Sequence, residues 1–142
     1  MYRHILIPTD GSELAEHGLA HGLALAKSLG ARASVIFVVE PFSEMTGRML
    51  EAVARYAELR KEQAASVLDR AANAAREAGV SCQTIQVESG QPHQAIIAAT
   101  QDKGCDLIVM SSHGRSGLSM LLIGSVTNKV LAHAKTPVLV CQ

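Results

Sequence analysis

Short apolar runs alternate with helical periodicities along this chain of 142 residues. Residues 4–9, 33–39, 105–111 and 138–141 are nearly all apolar, which predicts strands buried on both faces of a parallel sheet. Residues 80–88 instead alternate between apolar and polar positions, which is typical of a half-exposed strand at a sheet edge.

A helix is predicted between the first two strands. Ser12 is a plausible N-cap, Glu13 and Glu16 suit the positive end of the helix dipole, and Gly30 suits the left-handed stop. Spacings of three and four predict the buried face, which would consist of Leu14, Gly18, Leu19, Gly22, Leu25, Ala26 and Leu29. The glycines on that face favour close packing of this helix on the sheet.

Three further helices complete the pattern. Residues 47–79 read as one long crossover helix that ends at Gly79 and is bent or frayed before Arg55. The next helix begins at Pro92, a residue that the first turn tolerates, and the last spans residues 125–134.

Strict alternation of strands and helices predicts an α/β fold with right-handed βαβ units. We expect one domain, residues 1–142, with a doubly wound five-stranded parallel sheet in the order 3-2-1-4-5 and helices on both faces. In that order the third and fifth strands form the edges. Because the fifth, Val138–Cys141, is apolar and uncharged, it is a template for pairing, and we expect a homodimer formed there.

Charge and composition exclude several classes of function. Lys and Arg number 13 and Asp and Glu number 13, so the chain lacks the basic surplus of a nucleic-acid-binding protein. No segment reaches the run of about 18 apolar residues that a spanning helix needs, and no basic run flanks an apolar stretch. The N-terminus does not resemble a signal peptide, so we expect a cytoplasmic protein without membrane contact.

The three cysteines, Cys82, Cys105 and Cys141, are widely spaced and form no CxxC pair. We interpret them as reduced, mostly buried thiols rather than metal ligands or redox centres. His17 and His21 share a helical face, but two histidines alone are a weak metal signal. We therefore predict no metal site built by the protein alone.

Ligands of open α/β sheets bind beyond the carboxyl ends of the strands, where the winding reverses. Two segments meet that condition, residues 8–11 and the loop after the fourth strand. In that loop Gly114, Gly117 and Gly124 let backbone N–H groups face outward, and Ser125 opens a helix whose N-terminus favours phosphate. The pattern alone also allows a surface loop capped by Ser125. It is neither a Walker A loop nor the dinucleotide fingerprint.

The whole chain resembles the universal stress protein family. The ATP-binding members of that family carry Gly, two residues, Gly, nine residues and then Gly-Ser or Gly-Thr. Here Gly114 is followed by nine residues and then by Gly124-Ser125, and the motif's first glycine falls at Ser111. The opening residues 8–12, Pro-Thr-Asp-Gly-Ser, and the closing residues 136–140 also resemble the family. The resemblance implies a fold like that of the adenine nucleotide alpha hydrolases.

The resemblance also implies an adenine-nucleotide site that binds ATP or AMP. ATP would be bound together with Mg²⁺. Its implied binding residues are Pro8, Thr9, Asp10, Val38, Met110, Ser111, Gly114, Arg115, Gly124, Ser125, Val126 and Thr127. Asp10 would lie near adenine or ribose, where a turn-forming role is the alternative. His113 and Arg115 are either phosphate contacts or simply solvent-exposed residues.

Three functions remain open from the sequence, and none assigns a catalytic residue. The first is an ATP-binding regulatory module of the stress response with little or no hydrolysis. The second is a slow ATPase, and the third is a dimeric interaction module that binds no nucleotide. The backbone conformation at Ser111 helps to decide whether the chain binds a nucleotide. A left-handed backbone there would cost about 1 kcal/mol or more, whereas an extended backbone accepts serine at little cost.

Overall fold

Five parallel strands form one sheet in the computed structural model, which describes residues 1–41, 50–113 and 123–142. Their order, β3-β2-β1-β4-β5, confirms the predicted topology. The strands are β1 (His4–Pro8), β2 (Arg32–Val39), β3 (Cys82–Glu88), β4 (Leu107–Ser111) and β5 (Val138–Cys141).

Four helices of the described ranges cover both faces of the sheet. They are α1 (Glu13–Leu29), α2 (Leu50–Ala78), α3 (Pro92–Asp102) and α4 (Ser125–His133). Side chains of α1 and α2 pack with one set of strand residues, and side chains of α3 and α4 pack with the other. The two cores are mainly aliphatic, as a chain with 3% aromatic residues requires.

The first helix begins and ends at the predicted residues. The Ser12 side chain accepts a hydrogen bond from the Ala15 N–H at 3.2 Å, and Gly30 adopts the left-handed conformation with φ of 66°. The predicted face was partly wrong, because Ala15 and Leu23 are buried whereas Leu29 is exposed. The buried stripe is therefore rotated slightly from the one that the leucine positions indicated.

Helix α2 is continuous from Leu50 to Ala78, so the predicted fraying before Arg55 is absent from residues 50–54. The predicted start at Gly47 lies outside the described residues. The buried positions of α2 begin only at Ala64. Helices of the described ranges all lack the combination of length and hydropathy that a membrane span requires.

The two edges of the sheet differ in chemistry. Strand β3 has half-buried residues at Cys82, Ile85 and Val87 and exposed residues at its other positions, as expected for a polar edge. Strand β5 carries only Val, Leu and Cys side chains, and Leu139 is 38% exposed.

All three cysteines are free thiols, although only Cys105 is fully buried and the other two are half-buried. Burial raises the pKa of Cys105 to about 11 and also raises the pKa values of Cys82 and Cys141. Because thiolate is the reactive form, these shifts keep the thiols protonated and inert near neutral pH.

Candidate functional site

A cleft of about 420 Å³ opens beyond the carboxyl ends of β1, β2 and β4. This is where the chain reverses its winding, since β1 lies in the sheet between β2 and β4. The volume lies within the range of small-molecule binding sites.

The structure brings together the predicted binding residues that it describes. Ten of the twelve line the cleft, namely Pro8, Thr9, Asp10, Val38, Met110, Ser111, Gly124, Ser125, Val126 and Thr127. The other two, Gly114 and Arg115, lie outside the described residues. Segments far apart in sequence thus meet in one concave surface.

Hydrogen bonds tie the end of β4 to the start of α4. The Thr127 hydroxyl donates to the Ser111 carbonyl at 2.9 Å, and the Gly124 N–H donates to the Ser112 carbonyl at 2.7 Å. We call residues 111–113 and 124–127, which these bonds join, the clasp. The clasp holds the residues just after β4 against the first turn of α4.

Ser111 is accommodated without backbone strain. It lies in β4, and positive φ angles in the described ranges occur only at glycines. Gly18 of α1 faces it, and a Cβ on Gly18 would lie 3.6 Å from Ser111 Cβ. The Ser111 hydroxyl donates to the His113 carbonyl at 3.1 Å. The extended alternative therefore applies at this position, and the left-handed one does not.

Residues 9–12 form a tight turn at the end of β1. The Ser12 N–H donates to Asp10 Oδ1 at 2.9 Å, and the Gly11 N–H donates to the Thr9 hydroxyl at 3.2 Å. Asp10 therefore has the turn-forming role that the sequence allowed, while the residue also lines the cleft. The turn holds its carboxylate at the mouth of the site.

The N-terminus of α4 lines one end of the cleft. Gly124 is the N-cap, and its carbonyl accepts the Asn128 N–H at 2.9 Å. The first N–H groups of any helix lack intrahelical acceptors, and the helix dipole concentrates positive potential there. Ser125, Val126 and Thr127 therefore form the end of the cleft that suits a phosphate.

Comparison with known proteins identifies the family. The model of the universal stress protein family matches residues 1–142. This chain belongs to the universal stress protein family. Universal stress protein MJ0531 of Methanocaldococcus jannaschii is 36% identical, over all of this chain and 83% of its own length. Universal stress protein YxiE of Bacillus subtilis is 33% identical, over the full length of both chains.

Solved structures share the fold. Universal stress protein UspA from Lactobacillus plantarum superimposes with a TM-score of 0.87 at 22% identity, covering 99% of this chain and 98% of that one. A universal stress protein in complex with cAMP gives a TM-score of 0.74 at 21% identity, covering 99% and 97%. One from Archaeoglobus fulgidus in complex with dAMP gives 0.69 at 20% identity, covering 99% and 98%.

Several cleft residues of this universal stress protein were not predicted from the sequence. Besides the residues already placed, the lining includes Ala15, Ile36, Glu40, Arg60, Pro92 and Ile96. The Arg60 guanidinium lies 5.7 Å from the centroid of the Phe37 ring, and its Nη1 donates to Gln63 Oε1 at 2.7 Å. No local motif marks Arg60, because α2 carries it to the cleft through tertiary packing.

His113 is buried, with 9% exposure, so solvent exposure was the wrong alternative for this residue. It lines the main cleft and also a second cavity of about 380 Å³, whose other lining residues are Glu13, Leu14, His17, Ser112 and Gln142. Within the described ranges, no three His, Cys, Asp or Glu residues are grouped as metal ligands.

Proposed function

We propose that this universal stress protein is an adenine-nucleotide-binding regulatory module that takes ATP with Mg²⁺ and hydrolyses it little or not at all. The cleft carries the proposal, because it combines an apolar wall at one end with a helix N-terminus at the other. A nucleotide has the same two-part character, a flat base and an anionic phosphate chain.

The two ends are separated by the order of the strands. Ile36 and Val38 of β2, with Pro92 and Ile96 of α3, supply the apolar wall, and β4 and α4 supply the phosphate end. Neighbouring strands lie about 4.8 Å apart, so β2 and β4 are roughly 10 Å apart across β1. The turn at Asp10 lies between them, where a ribose would be bound.

Complexes within the family support the choice of an adenine nucleotide. The two complexes named above contain cAMP and dAMP, which share the adenine base and differ in the sugar and in the phosphate. Since this chain belongs to the same family, we propose that it also binds an adenine nucleotide. We choose ATP because the glycine motif resembles that of the ATP-binding members.

Magnesium would enter the site already bound to the phosphates of ATP. Mg²⁺ is commonly held by one or two carboxylates together with phosphate oxygens and water. The Asp10 carboxylate at the mouth of the cleft suits that role, directly or through water. Bound there, the ion would neutralise phosphate charge.

The hydroxyl and N–H groups at the start of α4 would bind phosphate without activating water, which is consistent with retention of intact ATP.

Ser125→Asp is expected to weaken nucleotide binding without harming the fold. Ser125 is exposed and opens α4, where a carboxylate interacts favourably with the helix dipole and does not lower the melting temperature. The same charge repels phosphate, by about 1 to 4 kcal/mol at 4 Å separation, which lowers the affinity roughly fivefold to nearly a thousandfold. Thermal-shift and calorimetric titrations with ATP and Mg²⁺ measure both effects.

Ser125→Asn is the matched control, because asparagine has nearly the size and shape of aspartate without the charge and should retain most of the ATP affinity. Phosphate release should stay at background in all three proteins. If millimolar ATP with Mg²⁺ does not shift the wild-type melting temperature, the nucleotide proposal is wrong and the interaction-module alternative stands. Steady phosphate release that Ser125→Asp removes would favour the ATPase alternative.

We also propose a homodimer in which two β5 strands pair antiparallel. The Pro137 and Cys141 carbonyls accept from the N–H groups of Ile108 and Ser112 at 2.9 and 2.7 Å. Because backbone groups alternate in direction along a strand, the N–H of Val140 faces the outer edge.

Val140→Pro removes that edge donor while leaving the bonds to β4, so the variant should sediment as a monomer. Val140→Thr keeps the donor and should remain dimeric, and a monomeric wild type would contradict the proposal.

A further inference from the structure

A buried histidine links the first two strands at the end of the sheet opposite to the cleft. His4 opens β1 and is 5% exposed, and its Nε2 lies 2.7 Å from the hydroxyl oxygen of Ser34, a fully buried residue of β2. In the parallel register His4 pairs with Arg32 and Leu6 pairs with Ser34, so the bond runs diagonally from one strand to the next. A side chain that titrates near neutral pH therefore takes part in holding β1 against β2.

The hydrogen bonds around this ring suit its neutral form. A neutral imidazole carries one N–H, which Nε2 can donate to the Ser34 oxygen, and Nδ1 then has no hydrogen to place. A protonated ring carries N–H groups on both nitrogens. His4 Nδ1 is buried and makes no hydrogen bond within the described ranges, so the added N–H would be left without an acceptor. A buried polar group without a partner costs free energy, and the cost is larger when the group is charged.

The charged groups that face His4 come from three parts of the fold. Arg32 lies on β2, Lys103 caps the C-terminus of α3, and Asp106 precedes β4. Burial lowers the pKa of His4 below its ordinary 6.5, and the Arg32 guanidinium lowers it further. The Lys103 carbonyl, which is near the ring without being hydrogen-bonded to Nδ1, and the Asp106 carboxylate act in the opposite direction without outweighing these effects. The Asp106 carboxylate accepts hydrogen bonds from the backbone N–H groups of Arg3 and His4.

We propose that the contact between His4 and Ser34 is a pH-sensitive latch, which holds β1 to β2 while the ring is neutral and weakens when the ring gains a proton. The latch is separate from nucleotide binding, because the cleft lies beyond the opposite ends of these strands. The unfolded chain takes up this proton at a higher pH than the folded chain does. The stabilisation is therefore complete above about pH 6.5, falls as the pH drops below that value, and levels off once folded His4 is also protonated.

Urea denaturation of wild type and His4→Gln at about pH 7.5 and about pH 5 tests the latch. Glutamine can bond to the Ser34 hydroxyl and does not titrate. One proton changes the unfolding equilibrium constant at most tenfold per pH unit, so about 1.5 units below pH 6.5 allow at most about thirtyfold. We expect the wild-type constant to rise between roughly threefold and thirtyfold more than that of His4→Gln, because the other titrating groups are shared and cancel.

An NMR titration of the imidazole C–H signals measures His4 directly in the wild type and does not depend on the folding of a variant. His4 should titrate below pH 6.5. His21→Gln is the matched control, because His21 is an exposed histidine of α1, and this variant should lose stability in acid as the wild type does. An equal acid loss in wild type and His4→Gln would overturn the proposal, and so would a His4 ring that titrates at or above pH 6.5.

Discussion

Gly124→Ala is expected to lower the free energy of unfolding and to remove nucleotide binding in the same variant. Its backbone is extended, with φ of −64°, so alanine is allowed conformationally and the cost comes from space alone. The new Cβ would lie 2.8 Å from His113 Cβ and 3.0 Å from His113 Cα. Both are inflexible atoms of a buried residue that follows β4 by two positions, so the start of α4 must move away.

That movement breaks the clasp. The Gly124 N–H would withdraw from the Ser112 carbonyl, and the N-terminus of α4 would lose its place at the phosphate end of the cleft. Overpacking of this kind costs about 1–3 kcal/mol. Urea denaturation measures the stability, and calorimetry with ATP and Mg²⁺ measures the binding, which should become undetectable.

Gly90→Ala is the matched control, since no atom lies within 4 Å of a Cβ at that exposed glycine. It should bind ATP like the wild type and keep its stability. Normal ATP affinity in Gly124→Ala would show that the close approach of α4 to His113 is unimportant for the site.

The sequence predicted the architecture well where local chemistry decides the outcome. Apolar runs place the strands, and Ser12 and Gly30 begin and end α1 through bonds between near neighbours. The face of α1 was less predictable. Its small residues at 15, 18 and 22 let the sheet approach closely, and that approach, rather than the leucine positions, determines which side is buried.

Site residues could be predicted when they belong to a short contiguous sequence motif, and not when only tertiary packing brings them to the cleft. The turn after β1 and the glycine-serine start of α4 are contiguous motifs, and the structure brings both into the cleft. Arg60 and Ile96 reach the same cleft only because α2 and α3 pack across the sheet, which no short pattern records. The backbone conformation of Ser111 also depends on its strand neighbours and on Gly18, so its consequences could not be decided from its identity.

Gly11→Ala is expected to be the more costly substitution for the fold, because two separate penalties coincide there. Gly11 has φ of 80°, a left-handed conformation that costs an L-residue about 1 kcal/mol or more. A Cβ would also lie 2.8 Å from Val67 Cγ2, and Val67 is buried in the core that α2 forms on the sheet. Adding about 1–3 kcal/mol for overpacking gives a total loss of roughly 2–4 kcal/mol.

Two further variants separate these penalties. Gly30→Ala has a similar φ of 66° and no atom within 4 Å of its Cβ, so it should lose only the conformational part, about 1 kcal/mol. Val67→Ala opens space beside residue 11, so the double variant should lose less than the sum of the two single losses. The expectation would be contradicted if Gly11→Ala and Gly30→Ala lost equal free energy of unfolding and the losses of Gly11→Ala and Val67→Ala were strictly additive. In that case α2 would move aside at this contact without a cost in stability. The turn that presents Asp10 would then be set by backbone conformation alone rather than by its packing against α2.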